Sequence, residues 1–404
     1  MKNKILIALV GLVVLAGGVV AYNWQKVERL NFALNLFSGA EQYENFNRMT
    51  ELFPSTTMKA AAVPFEFGQG DAIDLPDTFI ANGAAVDTQA FLAETDTAAL
   101  LVIHDGKVRL ERYSLTGGRD VQWLSMSVAK SFTSTLVGMA VEEGAIASIE
   151  DAVTKYVPEL AGSAYDGVRI KDILQMSSGA AWNEDYNDPD SDINRFGRIL
   201  GAGGSFSEFV TTMKREREPG TYNRYNSAST QVLGSLLLAA TEQPIQDYMS
   251  EKLWAPLGME SEGYWLVDDD NVPMVFFGLN ATARDYAKIG ELFRNGGVWN
   301  GEQLVAADWV KASITPDAPH LMAGENPLSD FPMGYGYQWW VMDGDEQEFS
   351  AIGVYNQFIY VNPTKDLVIV KLSANSDYGT TADGSTEREF ETIELFRTIG
   401  NLLN

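Results

Sequence analysis

Two apolar runs flank Asp105-Gly106 between residues 98 and 114. An Asp-Gly pair between such runs is a strong short-range hairpin signal. Both residues of the two-residue turn that matches strand twist carry a positive φ, which Asp tolerates and Gly prefers. Strand signals then vanish for two hundred residues. They return as Tyr335–Met342, Phe349–Val361 and Leu367–Leu372, with Asn362-Pro363-Thr364-Lys365-Asp366 as the last turn. Between them a helix is expected from about Ser127 to Glu143, stopped by Gly144. Residues 145–300 read as mostly helical. A final helix is expected over about 387–403, opened by Thr386 and Glu389 as a capping box. Strands at both ends with helices between imply an α+β fold: an antiparallel sheet built from both ends and flanked by helices, with an all-helical region inserted. The expected domain is 76–404, its sheet part 76–145 and 300–404 and its helical part 146–299. Residues 23–75 read as a connector. The cleft between the two parts is the natural site.

The 404 residues are 46% apolar, enough to bury a core, and carry a net charge of -26. That charge argues against nucleic acid and against an anionic membrane surface as main partners. The chain has no cysteine, which excludes disulfides, thiolate catalysis and Cys-ligated metals. It has two histidines, His104 and His320, neither within a motif that suits a Ser-His-Asp triad, and no Gly-x-Ser-x-Gly elbow. Glu184 to Asp192 and Asp268-Asp269-Asp270 do not match a calcium loop and read as solvated loops. No cofactor or metal is called for, and no oligomeric state is implied. At the N-terminus Lys2 and Lys4 precede the apolar run Ile5–Tyr22. Eighteen residues of helix span about 27 Å, close to a bilayer core. Two readings stay open for residues 1–22: a signal peptide cleaved after Val19-Val20-Ala21, or a transmembrane signal anchor, which the length favours. Both place the body in the periplasm or another extracytoplasmic space, and an anchor would tie it to the inner membrane.

Ser127 and Lys130 are spaced i, i+3 at the start of a helix, so both side chains share one face. A serine hydroxyl is a poor nucleophile without a base, and a lysine amine serves as one if burial lowers its pKa. The helix N-terminus favours an alkoxide there. On its own the pattern is weak, and a capping serine with an exposed lysine is the more common reason for it. Tyr225-Asn226-Ser227 follows about a hundred residues on, and a tyrosine hydrogen-bonded to lysine can relay a proton. The alternative is a half-buried aromatic before a helix. In Ala351-Ile352-Gly353-Val354 a glycine interrupts a strand, marking either a bulge or the close approach of a ligand. The amides of Val354 and Ser127 would then form an oxyanion hole.

With Ile170-Lys171-Asp172-Ile173-Leu174-Gln175-Met176-Ser177-Ser178-Gly179 and Gly278-Leu279-Asn280-Ala281-Thr282-Ala283-Arg284-Asp285, these motifs in this order resemble the serine β-lactamase and penicillin-binding-protein superfamily. The likeness is to its class C-type esterases and 6-aminohexanoate-dimer hydrolases, over about residues 75 to 400. The resemblance implies a β-lactamase/transpeptidase-like fold, Ser127 as acylated nucleophile, Lys130 as its base and Tyr225 as proton relay. Gly353 and Val354 match the segment supplying the second oxyanion amide. Tyr186, in a loop resembling the substrate mouth of the amide hydrolases, and Asn280 are implied substrate contacts. A loop aromatic and a helix-capping asparagine are the alternatives for these two. Two departures bear on substrate. Ala351 stands where lactamases carry a cation for the substrate carboxylate, and Ser227 where the tyrosine motif usually ends in Asn. Both turn the expectation toward a small-molecule ester or linear amide. The alternatives are a D-alanyl peptidase or β-lactamase, and, in another class, a non-catalytic binding or scaffold module of the same fold.

Overall fold

In the computed structural model, which describes residues 17–18, 24–39, 42–381 and 384–403, the Asp105-Gly106 turn has φ of 51° and 68°. It joins Thr97–His104 to Lys107–Tyr113. Thr97–His104 then pairs antiparallel with Leu367–Ser373 from the far end of the chain, which pairs in turn with Gln357–Asn362, and that strand with Phe349–Gly353. Trp340–Val341 and Gly334–Tyr335 extend one edge of this eight-stranded sheet. Gly68–Gln69 adds a parallel strand at the other. The sheet is covered on both faces, which is why its strands read as continuous apolar runs. Leu101, Ile103, Val368 and Val370 pack toward the helix Ala283–Arg294, and Leu100, Val102 and Ile369 toward the closing helix Glu389–Asn401. Gly290 allows the first helix to seat closely, because a Cβ there would lie 2.8 Å from both Ile359 and Val368.

Several expectations are corrected. The run Phe349–Val361 is two strands, reversed by Tyr355 and Asn356, both in the left-handed region without a glycine to signal it. Tyr335–Met342 is likewise broken at Gln338, with φ of 61°. The capping box does not form. Arg388 precedes the last helix at φ of 62°, and the Glu389 carboxylate accepts from the Tyr378 hydroxyl instead. The connector 23–75 and the helical part 146–299 both supply strands. Ser55–Met58, Gly263–Leu266, Leu279–Ala281 and Trp123–Leu124 form a second, four-stranded sheet. These strands are two to four residues long, too short to impose a period, and two of their three pairings are remote in sequence. Asp268 is buried rather than solvated, its carboxylate accepting from the amides of Phe206, Asp270 and Val272.

Apart from 17–18, the N-terminal segment 1–22 lies outside the described residues, and with it the signal or anchor expectation. Among the described residues no helix is long and apolar enough to cross a membrane. The helix Trp24–Asn35 packs on Asp192–Ala202 at Gly201, where a Cβ would sit 2.8 Å from Ala33.

Candidate active site

The short strand Trp123–Leu124 delivers the chain to a tight turn, Met126–Val128, which runs into the helix Ala129–Glu142. Met126 has φ of 48°, a conformation costly for a residue with a side chain. It swings Ser127 to the floor of a cavity of about 280 Å³. One helical turn on, Lys130 is 1% exposed. Its Nζ donates to Ser127 Oγ at 2.7 Å and to the Phe276 carbonyl at 3.0 Å. No carboxylate touches it. Burial therefore pulls its pKa down to about 7, against a weaker upward pull from the charge of Glu184. Tyr225 lines the same cavity with its ring 4.8 Å from Lys130 Nζ and its hydroxyl within electrostatic reach of Ser127. Trp340 stacks on that ring at 5.3 Å and fixes it. Burial first, and Glu184 second, push the Tyr225 hydroxyl well above its ordinary pKa, so it stays protonated and able to donate.

Gly353 ends its strand directly against the serine turn. A Cβ there would lie 2.8 Å from Met126 Cβ, 2.9 Å from the Ser125 carbonyl and 3.0 Å from the Ser127 amide nitrogen. Only glycine lets the strand approach so closely, and the approach brings Val354 to the cavity beside Ser127. Tyr186 lines the cavity as well. The structure thus brings Ser127, Lys130, Tyr225, Gly353, Val354 and Tyr186 together. Asn280 is not among them. It is 2% exposed inside the four-stranded sheet, and its amide donates to the Gly278 carbonyl at 3.0 Å, because the strand Leu279–Ala281 turns that side chain into the protein. Neither histidine lines the cavity. His104 faces Arg109 at 3.1 Å, and His320 is buried elsewhere.

Sequence reasoning missed Glu184, two residues before Tyr186. Its carboxylate accepts from Ser227 Oγ at 2.6 Å, the Ser227 amide at 3.1 Å, the Tyr186 hydroxyl at 2.9 Å and the Trp182 indole. Ser227 thus holds the loop and does not face the cavity. The resembling loop held the signal, but nothing in the chain links residue 184 to residue 227. Glu387 and Glu389 were also missed. Both line the cavity, and burial raises the Glu389 carboxyl to about 7. Among the described residues, the cavity is therefore lined by Glu184, Asp185, Glu387 and Glu389 and by no lysine or arginine, while Ala351 is buried in the sheet beneath. Among the described residues no group of three or more His, Asp or Glu is placed to hold a metal ion.

A hydroxyl bonded to an amine whose pKa burial lowers to about 7, at the start of a helix and beside the end of a strand, is an arrangement suited to acyl transfer. Comparison with known proteins agrees. The beta-lactamase family model matches residues 88–392. The 6-aminohexanoate-dimer hydrolase of Paenarthrobacter ureafaciens is 35% identical over 302 residues, which cover 73% of this chain and 76% of that protein. A solved Bacillus anthracis structure, provisionally named a 6-aminohexanoate-dimer hydrolase, superposes with a TM-score of 0.82 at 23% identity, covering 91% of this chain and 96% of that one. The class C beta lactamase of Rhodobacter sphaeroides superposes with a TM-score of 0.52 at 19% identity, over 77% of this chain and 97% of that one.

Proposed function

The chain belongs to the beta-lactamase family of serine hydrolases, and on that premise we propose that it cleaves a carboxylic ester or linear amide through a covalent acyl-enzyme on Ser127. The 2.7 Å bond from Lys130 to Ser127 carries this reading, because that lysine has no carboxylate partner to keep it protonated. As a substrate carbonyl enters, the neutral amine of Lys130 takes the serine proton and Ser127 Oγ bonds to the carbonyl carbon. The amides of Ser127 and Val354 hold the oxyanion, worth about 3 kcal/mol per donor. The tetrahedral adduct then expels the alcohol or amine, which receives a proton from the Tyr225 hydroxyl, replenished by Lys130. Water adds to the acyl-enzyme by the same steps in reverse, and the acid leaves with Ser127 restored.

The acidic, cation-free lining supports this reading over lactam hydrolysis and D-alanyl peptide cleavage, whose substrates carry a carboxylate that needs a counter-charge. The intact Ser127, Lys130 and Tyr225 set supports it over a binding module. Export, with anchoring through residues 5–22, belongs to the same proposal. A fluorophosphonate probe should label the protein, and Ser127→Ala should abolish labelling and lower p-nitrophenyl acetate hydrolysis by about 10⁴-fold or more. If that variant keeps its esterase activity, the mechanism fails. Stable labelling by a fluorescent penicillin with no ester turnover points to a peptidase instead.

A further inference from the structure

A second chamber, of about 460 Å³, lies behind the reaction cavity. Tyr186 and Tyr378 line both and form the partition between them. Each is tethered by its hydroxyl to a carboxylate on the reaction side, Tyr186 to Glu184 and Tyr378 to Glu389. The walls of the second chamber are mainly apolar, with Leu30, Phe37, Ile193, Leu200 and Phe276 among them. Phe276 also offers its carbonyl to Lys130, so the chamber begins one residue from the catalytic base. Two of the larger polar side chains at its edge are engaged within the protein. Asn194 donates to the carbonyls of Tyr186 and Asp188, and Arg198 to that of Pro189.

The mouth of this chamber has an unusual surround. Trp24, Val27, Leu30, Leu34 and Phe37 are 38–68% exposed, along one face of the helix Trp24–Asn35 and its immediate continuation. Leu30, Leu34 and Phe37 also line the chamber. An apolar stripe thus leads into an apolar chamber that abuts the reaction site.

We infer that the second chamber receives an unbranched aliphatic chain of the substrate, so that the enzyme acts on medium- or long-chain esters or amides. The inference rests on the proposed Ser127 hydrolase reading. It requires the Tyr186–Tyr378 partition to part, leaving the chemistry at Ser127 unchanged. Burying a methylene is worth about fourfold in binding, and a chamber of this size accepts several.

The test uses the full-length chain and two ester series, p-nitrophenyl alkanoates from acetate to dodecanoate and alkyl acetates of matching length. Each is presented as monomers and, for the long members, in phosphatidylcholine vesicles. The expected result is a rise in kcat/KM of about fourfold per methylene over several members of one series. A rise with monomers indicates a dissolved amphiphile; a rise confined to vesicles indicates a lipid-borne substrate. Both support the inference, and no rise in either series overturns it. Gly197→Phe sharpens the reading. Gly197 lines the chamber and a Cβ there meets nothing within 4 Å, so the ring has space to enter. It should lower dodecanoate hydrolysis at least tenfold more than acetate hydrolysis. Should that variant fail to fold, Leu34→Asp at the exposed mouth reads out the same ratio. Equal losses on both esters overturn the inference. Loss of acetate hydrolysis in Ser127→Ala with a flat chain-length profile leaves the hydrolase standing and removes the chamber. Retained hydrolysis in Ser127→Ala removes both.

Discussion

Lys130 and Lys288 are built alike and serve opposite ends. Each lies within a helix, is at most 1% exposed, bonds a side chain three residues back and donates to a backbone carbonyl from a remote segment. Lys130 meets Ser127 at 2.7 Å and the carbonyl of Phe276 at 3.0 Å. Lys288 meets Asp285 at 3.1 Å and the carbonyl of Gly258 at 2.6 Å, with Glu260 at 3.6 Å. The one chemical difference is a hydroxyl in place of carboxylates. Carboxylates compensate the buried charge, and Lys288 joins Arg284, Glu260 and Glu111 in a network that fastens its helix to the rest of the protein. A hydroxyl cannot do so, and burial lowers the pKa of Lys130 to about 7. Under the proposed mechanism, one backbone design thus yields a clamp or a base, according to the residue at i−3.

The largest expected contrast comes from replacing each lysine with methionine. Lys130→Met should lower kcat/KM by about 10³–10⁴-fold. At pH 6 its melting temperature should be unchanged or raised. The sign follows from the depressed pKa: below about 7 the folded protein bears the full cost of a buried charge, and that cost is relieved as pH rises from 7 toward 10.5. Lys288→Met should do the reverse, costing about 3–5 kcal/mol of stability because it leaves Asp285 uncompensated, while folded molecules keep their activity. Thermal unfolding and ester kinetics on both variants decide it, and similar losses in both would break the comparison. The next effect is at Gly353. Gly353→Ala must displace the serine turn, and a shift of that kind should lower kcat by about 10²-fold with little change in KM. The smallest is Glu184→Gln. Its charge raises the pKa of Lys130, so the acid limb of kcat/KM, expected near pH 7, should move to lower pH. A limb that stays in place would mean that Glu184 only holds the loop.

The same contrast explains what the sequence could convey. Ser127 and Lys130 lie within one helical turn, so their meeting follows from helix geometry alone. The first hairpin was legible because Asp105 and Gly106 are suited to a positive φ. Tyr355 adopts the same backbone region with no such signal, Asn356 follows it without a glycine, and the reversal behind Gly353 went unseen. Glu184 acquires its role only through Ser227, 43 residues away, a pairing that the tertiary fold decides. Asn280 sat in a suggestive motif, but the register of a three-residue strand turned its side chain inward.

The central strand pairing has a consequence for synthesis. Thr97–His104, the interior strand of the main sheet, waits for Leu367–Ser373 to cover its second edge. The side-chain bond of Lys371 to Thr95 spans 276 residues. At the rates of translation, on the order of 5–20 residues per second, the hairpin exists for tens of seconds with an apolar edge bare. A chain so arranged cannot complete its core from the ribosome outward. It must be held from self-association until its last seventh emerges, and the serine turn that leans on Gly353 takes its final shape only then.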